Sequence, residues 1–465
     1  MNEQEYLEAC KAHYLACGYE RTKEMKLEQL ERMILEGQVE LGRMLLRSRL
    51  EEDPQGKAES EHPCPKCKRP LRFPEKHKWQ RRVLRTIMGE TPYHRAYGIC
   101  DACGYTGAPL DEALGIPRRG PSVGTLRKIC HAAVVGRSFD DARDMLRALA
   151  GILFGRQRIR VLSEREGRRI AEVREQEVKA AQSSHKPQVC ASAPELLVIV
   201  ADGGRVHTRQ SAPDERWKEN KVGVVYDALA RPDSKAKLGK YEGAKAQIKT
   251  YVATMQQWEP FGWMLWVEAL RRGYETAKVT LFLADGAKPI RELKNLHFPS
   301  AIFIIDFWHV AEHLAECARS AFGEGTQAAT AAYTGWKQKL WDGKISEIIR
   351  DLEKQSRRLG TPQKGESSSS PRVALYRAAF SYFPNNKDAM DYPRYRAQGW
   401  PIGSGVAESG VKQFAKRVKG SEMHWNVSHT GAEEMLSLCA LFNSEDGRWD
   451  QYWDRRAQGN HDGEV

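Results

Sequence analysis

The sequence VTLFLADGAKPIRELKNLHFPSAIFIIDFWH occupies residues 279–309 and decides the fold. It contains two apolar runs, residues 279–284 and 301–305, and each run ends abruptly at an aspartate. Runs of about five or six apolar or β-branched residues are typical of strands that are covered on both faces of a sheet. Residues 288–296, between the runs, have room for a short helix. The stretch therefore predicts a β-α-β unit within an α/β sheet.

The two aspartates lie where such sheets place their functional groups. Ligands bind at the carboxyl ends of the strands in open α/β sheets, and this is the predicted position of Asp285 and Asp306. His309 follows Asp306 closely, which puts an acid and an imidazole on neighbouring turns of the chain. An earlier apolar run, LLVIVA at residues 196–201, leads into Asp202 and two glycines that predict a tight turn. These positions predict a cluster of acids at one edge of the sheet.

A further acid comes much later in the chain. Residues 400–410 read WPIGSGVAESG, a glycine- and serine-rich turn that leads into a predicted helix carrying Glu408. Two strand-end aspartates and a helical glutamate can hold two divalent cations roughly 3.5–4 Å apart for in-line phosphoryl transfer. Oxygen ligands of this kind suit Mg²⁺ or Mn²⁺. Any one Asp-Gly pair alone indicates only a turn, so the metal hypothesis depends on the combination.

In the order of these motifs the sequence resembles the DDE transposases of bacterial insertion sequences, in the Mutator-like branch and especially the group called ISKra. The resemblance implies a ribonuclease-H-like catalytic core with an all-helical insertion before the glutamate. It implies that Asp202, Asp285 and Glu408 are catalytic metal ligands and that Asp306 and His309 form an additional motif. Asp285 is favoured over Asp306 as the second ligand because Asp306 falls in that motif. His309 is either a group near the scissile phosphate or a buried, hydrogen-bonded histidine.

The same resemblance implies a reaction and its partners. The expected activity is metal-dependent DNA strand cleavage and strand transfer at insertion-sequence ends, with Mg²⁺ or Mn²⁺ as catalytic cofactor. The expected partners are terminal inverted repeats and target DNA, bound by a homo-oligomer. Lys412, Lys416 and Arg417 follow Glu408 at helical spacing and are expected to hold the DNA backbone. The alternatives are a sequence-specific DNA-binding regulator, a domesticated inactive transposase, and a metal-dependent nuclease that cuts without joining.

Composition agrees with a polyanionic partner. The chain has 465 residues, a formal net charge of +12 at pH 7 and a sequence pI of about 9.1. A basic excess of this size favours nucleic-acid binding, although charge alone is weak evidence. No run of about 18 apolar residues is present, and the N-terminus lacks a basic-then-apolar signal pattern. The sequence therefore predicts a cytoplasmic, nucleoid-associated protein that makes no membrane contact.

Four of the ten cysteines fall in two CxxC pairs, Cys64 with Cys67 and Cys100 with Cys103. Without a secretion signal, this arrangement favours metal over disulfides. The intervening residues read as two strands around Gly89-Glu90, and a hairpin there would bring the pairs together. Four thiolates would then form the closed site of a structural Zn²⁺. A pair of redox-active dithiols is the main alternative.

Two regions are predicted to contact DNA besides the helix of Glu408. The hairpin between the cysteine pairs carries Arg81, Arg82 and Arg85, which suit phosphate contact, although a merely solvated basic ribbon has the same composition. Residues 122–137, 139–149 and 156–175 are predicted helices that fit a helix-turn-helix. Other three-helix clusters would look similar.

The fold class predicted from all of these features is multidomain α/β. The expected divisions are an N-terminal helical region, a zinc ribbon, a helix-turn-helix-like region ending in a polar connector from residue 176, a first core part, a helical insertion with a mobile loop, and a last core part with C-terminal helices and a tail. Their bounds are 1–55, 56–118, 119–193, 194–310, 311–375 and 376–465.

Overall fold

The computed structural model describes residues 3–183, 189, 193–209, 212, 215–419, 424–426, 428 and 430–458, and for residues 3, 406–411 and 413 it describes the backbone alone. The chain forms two compact units. The first comprises Met1–Ser163 with Gly447–Val465, and the second comprises Glu164–Asp446. The finer division into six parts stays a prediction.

The elements of the first unit begin with three helices and continue through small strands to a helical cluster. They are α1 (Glu3–Ala16), α2 (Tyr19–Thr22), α3 (Leu27–Glu52), β1 (Gln80–Thr86), β2 (Gly89–Arg95), β3 (Gly98–Ile99), β4 (Thr106–Gly107), α4 (Pro109–Ala113), α5 (Val123–Val135) and α6 (Phe139–Ala150). Helix α7 (Arg156–Gln182) begins in this unit and continues into the second.

The second unit contains a five-stranded sheet and most of the remaining helices. Its elements are β5 (Leu196–His207), β6 (Trp217–Leu229), β7 (Lys245–Thr254), α8 (Trp258–Arg271), β8 (Val279–Ala284), α9 (Lys288–His297), β9 (Ile302–Ile305), α10 (Phe307–Phe322), α11 (Gln327–Trp341), α12 (Ile345–Leu359), α13 (Pro371–Arg377), α14 (Phe383–Asn386), α15 (Tyr392–Gln398), α16 (Gly405–Val418) and α17 (Thr430–Asn443). The last helix, α18 (Arg448–Ala457), belongs to the first unit.

The hairpin of the first unit is the one expected between the cysteine pairs. Strands β1 and β2 are antiparallel, and Thr86 pairs with Gly89. The turn therefore lies at residues 87–88, slightly before its predicted position at Gly89-Glu90. Gly89 and Glu90 belong to β2. Gly89 has a φ of +91°, a conformation that glycine adopts more readily than other residues.

A buried carboxylate holds this hairpin against helix α4. Asp111 accepts hydrogen bonds from Tyr93 Oη at 2.8 Å and Arg95 Nε at 3.1 Å, and it also pairs with Arg82. The Arg82 guanidinium donates a second hydrogen bond to the carbonyl of Pro117, and its side chain is only 13% exposed. Because its donors serve the fold, the expectation that Arg82 contacts DNA needs correction.

The order of strands in the large sheet is β7-β6-β5-β8-β9. Strand β6 is antiparallel to both β7 and β5, whereas β8 is parallel to β5 and β9 is parallel to β8. The unit β8-α9-β9 confirms the β-α-β prediction. Apolar residues of β5 and β8 pack against α8 and α9 in the main core, including Ile199, Phe282, Phe261 and Leu293. The sheet is mixed, and its parallel part carries the crossover helix.

Strand β5 is longer than predicted. The sequence predicts a tight turn at Gly203-Gly204, but the strand continues to His207 and pairs with β6 along this whole length. The glycines permit close approach instead of a turn. A Cβ atom at Gly204 would lie 2.7 Å from Asn220 Oδ1 and 3.0 Å from Lys419 Nζ, so a side chain there would clash. Asp202 consequently lies within a strand, not at the end of one.

Helical regions agree with expectation except at one boundary. Helices α10, α11 and α12 confirm that the chain becomes helical after His309. The predicted polar connector at residues 176–193 is wrong at its start, because α7 continues to Gln182, while residues 184–188 and 190–192 lie outside the described part. Among the described residues, no helix combines the length and apolar character needed to cross a membrane.

Candidate functional site

The register of two neighbouring parallel strands brings Asp202 and Asp285 to the same place. Val200 of β5 pairs with Leu283 of β8. Asp202 lies two residues after Val200, and Asp285 lies two residues after Leu283. Asp202 lies within β5 just beyond that pair, and Asp285 is the first residue after β8, so the backbone brings both aspartates to the same end of the parallel ladder. Neighbouring strands lie about 4.8 Å apart. We call Asp202 and Asp285 the acid pair.

The electrostatics of Asp202 reflect this neighbour. Burial raises the pKa of the Asp202 carboxyl above its ordinary value, and the charge of Asp285 raises it further. Opposing effects come from the Gly203 N–H, which donates to Asp202 Oδ1 at 2.7 Å, and from Lys419 and His309. A cation would relieve the repulsion between two carboxylates held this close. The donor set therefore fits a divalent metal ion.

Lys419 is the cation nearest to this position among the contacts of β5. It follows α16 directly, and its Nζ atom approaches the backbone of Gly204 on the same strand face as Asp202. Burial lowers the pKa of Lys419, and Asp202 raises it in part. The basic periodicity of α16 points to its exposed residues and does not single out Lys419. In the sequence, Gly204 is the feature that could have indicated a close approach by another side chain, because it lies two residues after Asp202.

Asp306 has a different role from the acid pair because its oxygens already have partners. It is the N-cap of α10, where Oδ1 accepts from the backbone N–H of Trp308 at 2.6 Å and of His309 at 3.2 Å. Oδ2 accepts from the backbone N–H of Ser404 at 2.5 Å and also from the Ser404 hydroxyl. Asp306 is 4% exposed. These bonds join the end of β9 to the start of α16, and we call them the Asp306 clamp.

Glu408, the predicted third acid, lies in the first turns of α16, close to the clamp in sequence. Its side chain lies outside the described residues, so its place as a metal ligand stays a prediction. Helix α16 packs against β5, which contains Gly204, and against β6, which contains Asn220. The backbone arrangement is therefore compatible with a helix acid beside the acid pair.

His309 lies beside a second histidine that sequence analysis missed. The rings of His309 and His313 are 4.9 Å apart, and the ring of Tyr382 lies 4.5 Å from His313. Tyr382 Oη donates to the backbone carbonyl of Asp285 at 3.2 Å. A cavity of about 390 Å³ lies along α10 and is lined by His309, His313 and acidic and basic neighbours. His309 is 38% exposed, which does not agree with the alternative of a buried histidine.

These neighbours have shifted acidities. Burial lowers the pKa of His313, and His309 lowers it further, while nearby carboxylates that include Asp285 oppose the shift. Tyr382 belongs to a π-helical turn, Ala378–Tyr382, a distortion frequent at functional sites. The helical spacing of His309 and His313 was a usable sequence signal, whereas the approach of Tyr382 from a distant segment was not.

Four cysteines form the second candidate site. The sulfur atoms of Cys64, Cys67, Cys100 and Cys103 all lie within 4.8 Å of one another, the one group of this kind among the described side chains. Cys64 and Cys103 are separated by 3.5 Å, and Cys67 and Cys100 by 3.4 Å. Tetrahedral Zn–S bonds of about 2.3 Å place sulfurs about 3.8 Å apart. This cysteine cluster could hold a zinc ion.

The remaining predicted DNA contacts differ in accessibility. Arg81 and Arg85 are exposed, and Arg85 pairs with Glu90. Lys412 and Lys416 are exposed on α16. Arg417 is only 1% exposed, with its guanidinium 5.9 Å from the Trp425 ring centroid. Direct DNA contact by Arg417 is not compatible with that burial, so this expectation needs correction.

Together these features define a multidomain α/β protein with a mixed sheet, an acid pair and a cysteine cluster. The sequence matches the model of an uncharacterised protein family, UPF0236, over residues 21–325. This match covers more than half of the chain, and the chain belongs to that family. No curated protein sequence matches the chain.

Among solved structures, the chain shows a distant likeness to a "Drosophila P element transposase strand transfer complex". The TM-score is 0.31 and the sequence identity is 10%. The match covers 71% of this chain and 94% of that chain.

Zinc content tests the cysteine cluster. We expect the purified protein to contain one zinc ion per chain, and Cys103→Ser to lose most of it because a tetrahedral site needs all four sulfurs. Cys103 is the exposed member, so its replacement disturbs packing least. Elemental analysis measures the content, with Cys10→Ser, outside the cluster, as the matched control. Equal zinc in both variants would contradict the assignment.

Thermal unfolding tests the acid pair without any DNA. The raised pKa of Asp202 means that its ionised form costs stability above that pKa, and that the cost disappears as the pH falls through it. At neutral pH without metal we expect Asp202→Asn to stabilise the protein by roughly 0.5–2 kcal/mol. We also expect it to lose the stabilisation that Mn²⁺ gives the wild type. Calorimetry in EDTA and in MnCl₂ measures both effects.

The control for this experiment is Asp388→Asn, an exposed acid of the same unit. It should leave both the stability in EDTA and the response to Mn²⁺ unchanged. If Asp202→Asn behaved like this control, the two carboxylates would not form a cation site.

Urea denaturation tests the Asp306 clamp. We expect Asp306→Ala to cost about 2–4 kcal/mol, because it removes a helix cap and leaves buried N–H groups without an acceptor. Asp391→Ala is the matched control, since Asp391 caps α15 through Arg394 N–H but is exposed. Loss of that cap alone should cost about 1 kcal/mol. Equal costs for the two variants would show that the bonds to Ser404 add nothing.

Proposed function

We propose that this protein is a DNA transposase of the DDE type, in which Asp202, Asp285 and Glu408 hold two divalent cations. The observation that carries the proposal is the acid pair, in which Asp202 lies within β5 and Asp285 directly follows the neighbouring parallel strand β8. Burial and the charge of Asp285 both raise the pKa of Asp202, and such a pair of carboxylates has a physical reason to be retained when cations bind to it. A protein that only binds DNA gains nothing from clustered negative charge.

The strand order adds support for a ribonuclease-H-like core. Three antiparallel strands followed by two parallel ones, in the order β7-β6-β5-β8-β9, leave the acids on the first and fourth strands of the sheet in chain order. The two strands are neighbours although α8 and two other strands separate them in sequence. The assignment to the ISKra group of the Mutator-like branch rests on the order of motifs in the sequence.

In this proposal the ions would activate a water molecule, and later a DNA 3′-hydroxyl, and would stabilise the leaving oxygen. The chain's own residues hold and shape the site. Asp202 and Asp285 orient their oxygens from a rigid sheet, and the Asp306 clamp fixes the start of the helix that carries Glu408. Lys419 offsets the charge of Asp202, and His309 can contact the scissile phosphate.

Exposed lysine and arginine side chains would attract DNA to the protein. Lys412 and Lys416 on α16, and Arg81 and Arg85 on the first unit's hairpin, present charges that can meet backbone phosphates. The predicted zinc ribbon and helix-turn-helix-like region would recognise the inverted repeats, and a homo-oligomer would hold two ends. The formal net charge of the chain, +12 at pH 7, agrees with such a partner.

A cleavage assay tests the proposal directly. The substrate is labelled DNA carrying the sequences that flank the gene, incubated with the full-length protein and Mg²⁺ or Mn²⁺. We expect Asp202→Asn, Asp285→Asn and Glu408→Gln each to lower cleavage roughly 100-fold or more while DNA binding remains, because each removes a metal ligand. Asp388→Asn should cleave like the wild type.

The products separate the alternatives. Joining of the cut 3′-hydroxyl to a second DNA molecule supports a transposase, and cutting without joining indicates a nuclease. Wild-type protein that binds the flanking DNA but never cuts it would overturn catalysis and indicate a DNA-binding regulator.

A further inference from the structure

A cavity of about 500 Å³ lies beside the Asp306 clamp and takes no part in the proposed metal chemistry. Its walls come from four separate segments: the connection between β6 and β7, the first turn of α10, the end of α11, and residues 401–403 with the first residue of α16, Gly405. Trp308, Trp341 and Tyr241 are its aromatic residues, and Gly403 contributes to the wall next to Asp306. We call it the indole cavity.

The indole of Trp308 is held in place but is not buried. Asp306 accepts a hydrogen bond from the Trp308 backbone, which fixes the first turn of α10. The side chain remains 45% exposed, unlike Trp341, which is 4% exposed and donates from Nε1 to the carbonyl of Ala236 at 3.2 Å. A large apolar ring that is anchored by its backbone and open to solvent is suited to stack against a flat ligand.

Residue 403 must be small for this arrangement. A Cβ atom there would lie 3.0 Å from Cδ1 and 3.3 Å from Nε1 of Trp308, tighter than ordinary contact. Even alanine at this position would therefore press on the indole, which would have to shift by a few tenths of an ångström. Because Gly403 directly precedes Ser404 of the Asp306 clamp, the cavity wall and the start of α16 are fixed together.

The charges around the indole cavity favour a phosphate-bearing ligand. The Lys337 ammonium lies 4.8 Å from the Trp308 ring centroid, and Lys235, Lys237 and Lys240 are exposed on the connection between β6 and β7. Glu242 also lines the cavity; its side chain is largely exposed and pairs with Arg231 at 3.1 Å, which offsets part of its charge. Aromatic platforms flanked by lysines bind single-stranded nucleic acids, because each base offers a face for stacking and each phosphate a negative charge.

We propose that the indole cavity binds an unpaired DNA base, stacked on Trp308. The inference rests on the proposed function for the source of the DNA, but not on catalysis. An enzyme that acts within a duplex must open it locally, and a pocket for the displaced base offsets the cost of unstacking. The cavity, between about 300 and 1,000 Å³ in volume like typical ligand sites, has room for one base.

Equilibrium binding in EDTA tests this inference without cleavage. Fluorescence anisotropy measures the affinity of the full-length protein for a labelled single-stranded oligonucleotide and for a blunt duplex of the same sequence. We expect Trp308→Ala to weaken single-strand binding roughly 5- to 100-fold and to leave duplex binding unchanged, because only the unpaired strand offers a base for stacking. Trp308→Phe, which keeps an aromatic ring, should retain most of the affinity.

Two further variants make the result specific. Trp217→Ala removes a tryptophan of similar exposure, 51%, that does not line the cavity, and it should bind like the wild type. Gly403→Ala should weaken single-strand binding in the same direction as Trp308→Ala, because its methyl group displaces the indole. Circular dichroism confirms that each variant is folded.

The outcomes are distinguishable from those of the cleavage assay. Equal single-strand affinity of Trp308→Ala and wild type would overturn the inference even if the protein cleaves DNA. Displacement of the oligonucleotide by micromolar free deoxyadenosine monophosphate would also overturn it, since the cavity would then be a site for free nucleotides. Loss of single-strand binding in Trp308→Ala supports it even if no cleavage is found.

Discussion

The parallel ladder between β5 and β8 is the constraint on which the rest of the second unit depends. It brings Asp202 of β5 and Asp285, the residue after β8, to the same end of the ladder, and the surroundings must then accommodate their mutual repulsion. Lys419 approaches from the end of α16, the Gly203 N–H donates to Asp202, and the glycines of β5 leave space for these groups. Burial of Asp202 and its repulsion from Asp285 cost stability, and the proposed cations would recover it.

Much of this architecture follows from local sequence, and the exceptions have physical causes. Strand β8, helix α9 and strand β9 were predictable because uninterrupted apolar runs identify strands covered on both faces. Strand β7 is less evident because it is an edge strand whose first half, KAQIK, is mostly polar and at least partly exposed. The extension of β5 through Gly203 and Gly204 was hidden because two glycines after an acid more often indicate a turn than close packing.

The residues of the candidate site also differ in whether local sequence predicts them. The cysteine cluster was predictable because CxxC pairs are local signals, and the apolar runs before Asp202 and Asp285 marked these acids, although β5 continues past Asp202. Lys419, His313 and Tyr382 were not, because their proximity depends on helix packing between segments far apart in sequence. Arg82 and Arg417 show the reverse error, since a basic residue at a plausible spacing can serve the fold from a buried position. Composition alone does not separate an arginine that contacts Asp111 from one that faces solvent.

Asp306 connects the two halves of this organisation. One carboxylate caps α10, which carries Trp308 and His309, and also holds Ser404 at the beginning of α16. The histidine side of α10 is thereby fixed relative to the acid pair, and the tryptophan is fixed relative to the indole cavity. Asp306, which like Asp285 ends an apolar run in the sequence, thus acts as a structural junction. A shift of this junction would move the starts of α10 and α16 together. In the proposed function, binding of a strand at Trp308 and assembly of the proposed metal ligands would therefore be coupled through hydrogen bonds to one buried side chain.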